Sequence, residues 1–259
     1  MSMLSKPVHV SLGAYGRVPH LVAIADALAD PPSDPLLGQV DTTRMQICPQ
    51  NTGVLDREWC QQLRALYPDI EWRLHANVRT RLEHGFIDLA DCPEHRSYFR
   101  ELAKLSDALA APAYSAHAGK RSKASVSEVI DYSRELTDLF GMPVAIEGHY
   151  PMPDNRWLFS SWQEYRQLLE SDAYYALDLS HLNIIASRNR MVETGLVMEM
   201  LACERCIEVH VSHNDGQRDQ HLPLVHLPWW LPVLQHNATQ AVIFSEGRIT
   251  SSILETVPS

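Results

Sequence analysis

The feature that most constrains this chain is a recurrence. Short apolar or β-branched runs are each followed by a segment of helical period, and six successive runs end in a histidine or an acid: His75, His117, Glu147, Asp178, His210 and Glu246. The intervals between them are 42, 30, 31, 32 and 36 residues. Each interval has the length of one strand plus its crossover helix. The full set of strand-like runs has eight members: VHVSL (8–12), RMQIC (44–48), IEWRLH (70–75), PAYSAH (112–117), PVAIE (143–147), YYALD (174–178), CIEVH (206–210) and AVIFSE (241–246). Between them lie amphipathic stretches such as SVSEVIDYSRELTDLFG, opened by Ser125 as an N-cap and closed by Gly141 as a C-terminal glycine. SWQEYRQLLES and VETGLVMEMLACER have the same character. Eight strands alternating with helices predict one domain over residues 1–259, a (β/α)8 TIM barrel, with a doubly wound open sheet as the alternative.

In such a barrel the C-terminal ends of the strands converge on one mouth. Six residues that are remote in sequence are therefore expected to meet there. One histidine at a strand end is ordinarily a structural residue, but six strands in succession ending this way point to a site. Carboxylates mixed with neutral imidazoles suit Zn²⁺, Mn²⁺ or Fe²⁺, whereas Mg²⁺ prefers an all-oxygen shell. One ion takes three or four protein ligands, so six exceed the need of one. Three further ligands stand in the expected loops. LDLSHLN adds His181, and DGQRDQH adds Asp219 and His221, whose i, i+2 spacing lets both project to one side of an extended loop. The expectation is two or three divalent ions per chain, zinc first, manganese or iron as alternatives.

Composition limits the partners. The formal charge is −10, with only four lysines, Lys6, Lys104, Lys120 and Lys123. A field of that sign repels a polyanion unless arginine or bound cations reverse it locally. No stretch reaches the roughly 18 consecutive apolar residues of a membrane span. The opening MSMLSKPVHVSLGAYGRV lacks the apolar run and cleavage site of a secretory signal, so the expected compartment is the cytoplasm. Five cysteines, an odd number, do not form a disulfide framework, and Cys203 with Cys206 read as two small side chains near a helix end.

Among smaller features, Lys120 and Arg121 are the expected anion-binding residues, since they directly follow the strand that ends in His117. His149, Tyr150 and Arg156 follow the fifth strand and are placed to meet substrate. Trp229 and Trp230 are expected to pack. GAYGRV is glycine-rich but lacks the ending of a phosphate-binding loop and is given no nucleotide role. His9, His20, His84, His95 and His236 fit no constellation.

The series RLHANVR, SAHAGKR, VAIEGH, LDLSH, VHVSHNDGQRDQH and SEGR resembles the motif series of the xylose-isomerase-like barrels. It is most similar to that of the endonuclease IV (apurinic-site endonuclease family 2) group. The resemblance covers roughly residues 8–250 and rests on nine positions taken together. It implies three zinc ions at the mouth. His75, His117 and Glu147 would hold the first. Glu147 would bridge to a second held also by Asp178, His210 and Glu246, and His181, Asp219 and His221 would hold the third. The sugar isomerases of the superfamily keep only the Glu147, Asp178, His210, Glu246 set. The chain departs from the endonucleases in EGHYPMPDNRW after the fifth strand and in LPLVHLPWW after the outer Asp-x-His. It departs again at Val78, where they carry an aromatic, and at His213, where they carry an acid or amide.

These readings predict a metal-dependent hydrolase of a phosphoester or related ester of a small molecule, working through a metal-bound hydroxide. Glu147 and Glu246 are the expected catalytic acids, and Lys120, Arg121, His149 and His213 the expected substrate contacts. The alternatives are a single-metal sugar or polyol isomerase or epimerase, an apurinic-site endonuclease, and a metal-binding protein without turnover. A small anionic or polyhydroxylated substrate is expected, and duplex DNA is not.

Overall fold

The computed structural model describes residues 6–81, 85–238 and 240–249; His84 lies outside them. Eight parallel strands close into a barrel: β1 (Val8–Ser11), β2 (Asp41–Ile47), β3 (Glu71–His75), β4 (Tyr114–His117), β5 (Val144–Glu147), β6 (Tyr175–Asp178), β7 (Cys206–Val211) and β8 (Val242–Ser245). Pairing of Val8 with Ile243 and of Val10 with Met45 joins β1 to both β8 and β2. That closure removes the open-sheet alternative. Each strand corresponds to one of the eight expected runs.

Among the described residues seven α-helices surround the barrel: α1 (His20–Ala29), α2 (Arg57–Leu66), α3 (Arg96–Leu109), α4 (Val126–Phe140), α5 (Trp162–Glu170), α6 (Leu179–Asn189) and α7 (Thr194–Ala202). The caps show why they start and stop there. Ser125 accepts from the Glu128 amide while Glu128 returns to the Ser125 amide, a reciprocal capping box. Gly141 ends α4 at φ 66°, a left-handed conformation that favours glycine. Asp56 caps α2 by accepting from Trp59 N at 2.8 Å.

Side chains alternate across each strand. Trp72 and Leu74 of β3 are buried in the main apolar core between barrel and helices. Arg73 and His75 take the opposite face, which is the barrel interior. There a small cluster of Ala113, Ala145, Ala176 and Ile207 fills part of the space. In register, Ala176 stands beside Glu208, and Asp178 beside His210. Two interior layers follow, one carrying Glu208 and the next carrying the strand-end residues.

Three local features differ from the sequence expectation. A two-stranded antiparallel ribbon, Ser33–Asp34 with Gly38–Gln39, intervenes between α1 and β2. A 3-10 helix, Leu231–His236, replaces an α-helix between β7 and β8. Finally, α6 starts directly after β6, so His181 lies on the first helical turn and not in a loop. The cause is Asp178, whose carboxylate accepts from both Ser180 N and His181 N and so nucleates the helix. Trp230 is 1% exposed, packed as expected, and all five cysteines are free. Among the described residues no helix is long and apolar enough to cross a membrane.

Candidate metal centre

The strands deliver the six residues to one place. His75, His117, Glu147 and Asp178 are the last residues of β3 to β6, His210 is the penultimate residue of β7, and Glu246 follows β8. Glu147 is the hub. Its Oε2 lies 3.1 Å from His210 Nδ1 and 3.5 Å from His75 Nε2. Its Oε1 lies 3.4 Å from His117 Nε2 and 3.9 Å from His181 Nδ1. Glu246 Oε1 is 3.6 Å from His210 Nδ1, and its Oε2 is 3.4 Å from His221 Nδ1. Asp219 Oδ2 sits 3.0 Å from His221 Nε2 and 3.4 Å from His181 Nε2, which is itself 3.2 Å from Asp178 Oδ2. All nine residues singled out from the sequence thus join one connected network.

The grouping differs from the one the resemblance implied. Potential ligand atoms lie within 4.8 Å of one another in two triplets, His75–Glu147–His210 and Glu147–Asp178–His181. Glu147 belongs to both. His210 therefore stands with His75, and His181 sits nearer the centre than its expected outer position.

Four carboxylates and five imidazoles in a buried mouth require compensating positive charge. Burial disfavours protonation of His210, yet Glu147 and Glu246 beside it raise its pKa well above the usual imidazole value. Burial is likewise outweighed at His181, raised to about 10 by Asp178 and Asp219, and at His221, raised to about 11 by Asp219 and Glu246. Burial pushes Asp178 up to about 6. His75 is lowered to about 4 by burial and stays neutral. Three buried atoms facing this centre, Glu147 Oε2, Asp178 Oδ2 and His210 Nδ1, have no hydrogen-bond partner. Glu147 Oε2 and His210 Nδ1 are close enough for an ion pair but lack hydrogen-bond geometry. Buried polar atoms are normally satisfied, and an unsatisfied carboxylate–imidazole set is the donor chemistry of a divalent cation. The residues fit such an ion.

A second layer holds these ligands. Glu208, fully buried two residues before His210, accepts from Gln46 Nε2 at 3.0 Å and from Arg73 Nη1 at 3.0 Å. Its Oε2 also lies 3.3 Å from His210 Nε2. Burial opposes ionisation of Glu208, but His210 and Arg73 hold its pKa down at about 2. His75 Nδ1 is bonded to Ser115 Oγ at 3.0 Å, and the Ser115 hydroxyl also helps to hold the Glu208 pKa down. His181 Nδ1 donates to Gly148 O at 2.9 Å, which leaves Nε2 to face Asp178 and Asp219. Gly148 has no room for a side chain, because a Cβ there would run into the Tyr165 hydroxyl and the Phe159 carbonyl.

The four expected substrate contacts have partners within the protein. Arg121 is engaged by Glu164, with Nη1–Oε1 at 2.5 Å and Nη2–Oε2 at 2.8 Å, and its Nη2 also meets Ser160 Oγ at 3.3 Å. That fork is spent on α5 and is not offered to an anion. Lys120 lies over the Trp157 ring, 5.8 Å from its centroid. His149 is buried, stacked between His117 at 4.9 Å and Trp157 at 4.5 Å, and its Nε2 accepts from Gly119 N. It backs His117. His213 bridges to Leu222 and packs its ring 6.1 Å from His226. Glu208, Arg73, Gln46 and Ser115 were missed from sequence.

No protein-family model and no curated protein matches the chain. Solved structures do. A D-tagatose 3-epimerase-like protein aligns over 94% of this chain and 92% of its own, at 16% identity and a TM-score of 0.65. The family 2 AP endonuclease from Brucella melitensis aligns over 95% of both chains, at 14% identity and a TM-score of 0.63. The IOLI protein with a binding zinc atom aligns over 94% of this chain and 90% of its own, at 12% identity and a TM-score of 0.61. At these identities the likeness concerns the fold alone: the chain shares its TIM barrel with these proteins.

Proposed function

We propose that the chain is a divalent-metal-dependent enzyme that hydrolyses a phosphoester or related ester of a small molecule. The observation that carries this reading is the double membership of Glu147, which stands in both ligand triplets and so suits a carboxylate shared by two ions. Zinc fits the mixed imidazole–carboxylate set best. Ions so held supply Lewis acidity and charge stabilisation at the reacting centre.

The chain's own residues do the rest. Glu246 lines the adjoining cavity and is 9% exposed. Burial tends to raise its pKa, but His210 and His221 hold it below the usual value, so it is ionised and placed to accept a proton from a water or hydroxyl in the cavity. Glu147 keeps His75, His117 and His210 in place. Glu208 and Gly148 fix the orientation of His210 and His181.

A single-ion epimerase is the second reading, supported by the sugar 3-epimerases among the similar structures. There Glu147 and Glu246, from strands on different sides of the mouth, would exchange a proton with adjacent substrate carbons. Duplex DNA fits poorly: the formal charge is −10, and Val78 is fully buried.

Elemental analysis of the purified protein tests the choice. Two or more ions per chain, with Glu147→Ala losing more than one of them, is the expected result. One ion per chain favours the epimerase, and a Glu147→Ala variant with its full metal content refutes the shared carboxylate. Cleavage of an abasic duplex at physiological salt would restore the DNA reading.

A further inference from the structure

A cavity of about 740 Å³ adjoins the cluster, and His221 and Glu246 form part of its wall. That volume lies within the range of small-molecule sites. Loops after β1, β2, β3 and β8 complete it, and three of them contribute an arginine: Arg17, Arg79 and Arg248. All three are exposed, and none has a side-chain hydrogen bond or ion pair among the described residues. By contrast, Arg121 and Arg156, in the loops after β4 and β5, are paired with Glu164 and Asp154.

The charge in the cavity is graded. Glu246 is the only carboxylate among its described lining residues, and it belongs to the buried, cluster end. The three arginines are exposed, in contrast to the buried Glu246. Phe86, 84% exposed, offers an apolar face on the same wall. In a chain of formal charge −10 this is a local reversal of sign, assembled from three loops far apart in sequence. Guanidinium forks match the oxygens of phosphate and carboxylate.

We propose that Arg17, Arg79 and Arg248 form an oxyanion-recognition site, so that the substrate is a small polyhydroxylated molecule carrying a phosphate or carboxylate remote from its reacting centre. The remoteness rests on the proposed function, which puts the reacting centre at the metal cluster. The arginines' preference for an anion does not depend on it.

Titration calorimetry of the metal-loaded protein with ribitol, D-ribonate and the 5-phosphonate of ribitol tests this. None of these probes has a scissile ester or an isomerisable carbonyl. At least one anion is expected to bind about tenfold or more tightly than ribitol, the gain of one well-formed charge-assisted contact. The stronger of the two identifies the group. In Arg17→Gln/Arg79→Gln/Arg248→Gln, which alters only exposed side chains, the advantage should fall below about threefold, with ribitol binding unchanged. In Glu147→Gln the advantage should persist. Equal binding of all three probes, or an advantage that survives the triple substitution, overturns the proposal. So does an advantage abolished by Glu147→Gln, since the anion would then sit on the metal cluster. Unchanged metal content in Glu147→Gln would count against the metal centre alone and leave the arginine site standing.

Discussion

Replacing Glu208 by glutamine separates the support of the centre from the centre itself. The side chain is fully buried, and the amide keeps its volume while removing its charge. Arg73 Nη1, 3.0 Å away, then loses its buried counter-charge but keeps Glu71 Oε1 at 3.0 Å from its Nε. Breaking a buried pair outright costs about 3–5 kcal/mol. With Glu71 remaining, the lower end applies, about 3 kcal/mol, or roughly 6–12 °C in Tm for a chain of this length. Glu208 also orients His210 directly and neighbours Ser115, which holds His75. Loss of such support weakens metal binding by about 10–100-fold. The double variant Glu208→Gln/Arg73→Met tells the two effects apart. Removing the stranded cation should restore most of the stability, while His210 remains unsupported and metal affinity stays low. Thermal unfolding and competitive metal titration of the three proteins give both readings. Wild-type metal affinity in Glu208→Gln, or full recovery of affinity in the double variant, would refute the assignment of Glu208 as the residue that positions these imidazoles.

His221→Ala should lose one metal equivalent while the barrel stays folded, because the His221 side chain stands at the partly exposed edge and among the described residues pairs with Asp219 and Glu246. Elemental analysis with circular dichroism checks this, and loss of every ion together would contradict it. His20, buried against Trp59, has its pKa lowered to about 4 by burial, with the Arg79 charge adding to the effect. A folded value below the unfolded one gives stability that is complete above about pH 6.5 and lost as the pH falls through about 4, at up to about 1.4 kcal/mol per pH unit. Urea unfolding at several pH values should show a shallower acid loss in His20→Phe than in the parent. Identical pH slopes would count against it.

The barrel and six of the nine clustered residues were legible because both are periodic. Strands recur at the length of a β/α unit, and a histidine or acid at the ends of six of them inherits that period. What lacks a period was hidden. Arg73 and Glu208 read in sequence as ordinary polar positions of alternating strands. Only closure of the barrel turns their face inward and leaves them the burial that makes them partners. His181 was placed in a loop because the capping role of Asp178 competed with its more conspicuous reading as a ligand. Lys120 and Arg121 were favoured as anion sites for their nearness to His117, but Arg121 is claimed by Glu164, 43 residues away in sequence. Arg17, Arg79 and Arg248 belong to separate loops, and only the fold gathers them on one cavity.

Asp178 carries a further consequence, for ion selectivity. Its Oδ1 accepts from Ser180 N at 2.7 Å and from His181 N at 3.1 Å, so that oxygen is committed to starting α6. Only Oδ2 remains for a cation. Calcium gathers about six to eight oxygens and commonly takes both atoms of a carboxylate. At the proposed centre, a helix cap that withholds one of them, beside imidazoles that calcium does not favour, would screen out an abundant hard ion while leaving the single oxygen a compact transition-metal ion uses. In the proposed metal centre the same two backbone hydrogen bonds that begin a helix would therefore also act as a filter for the metal.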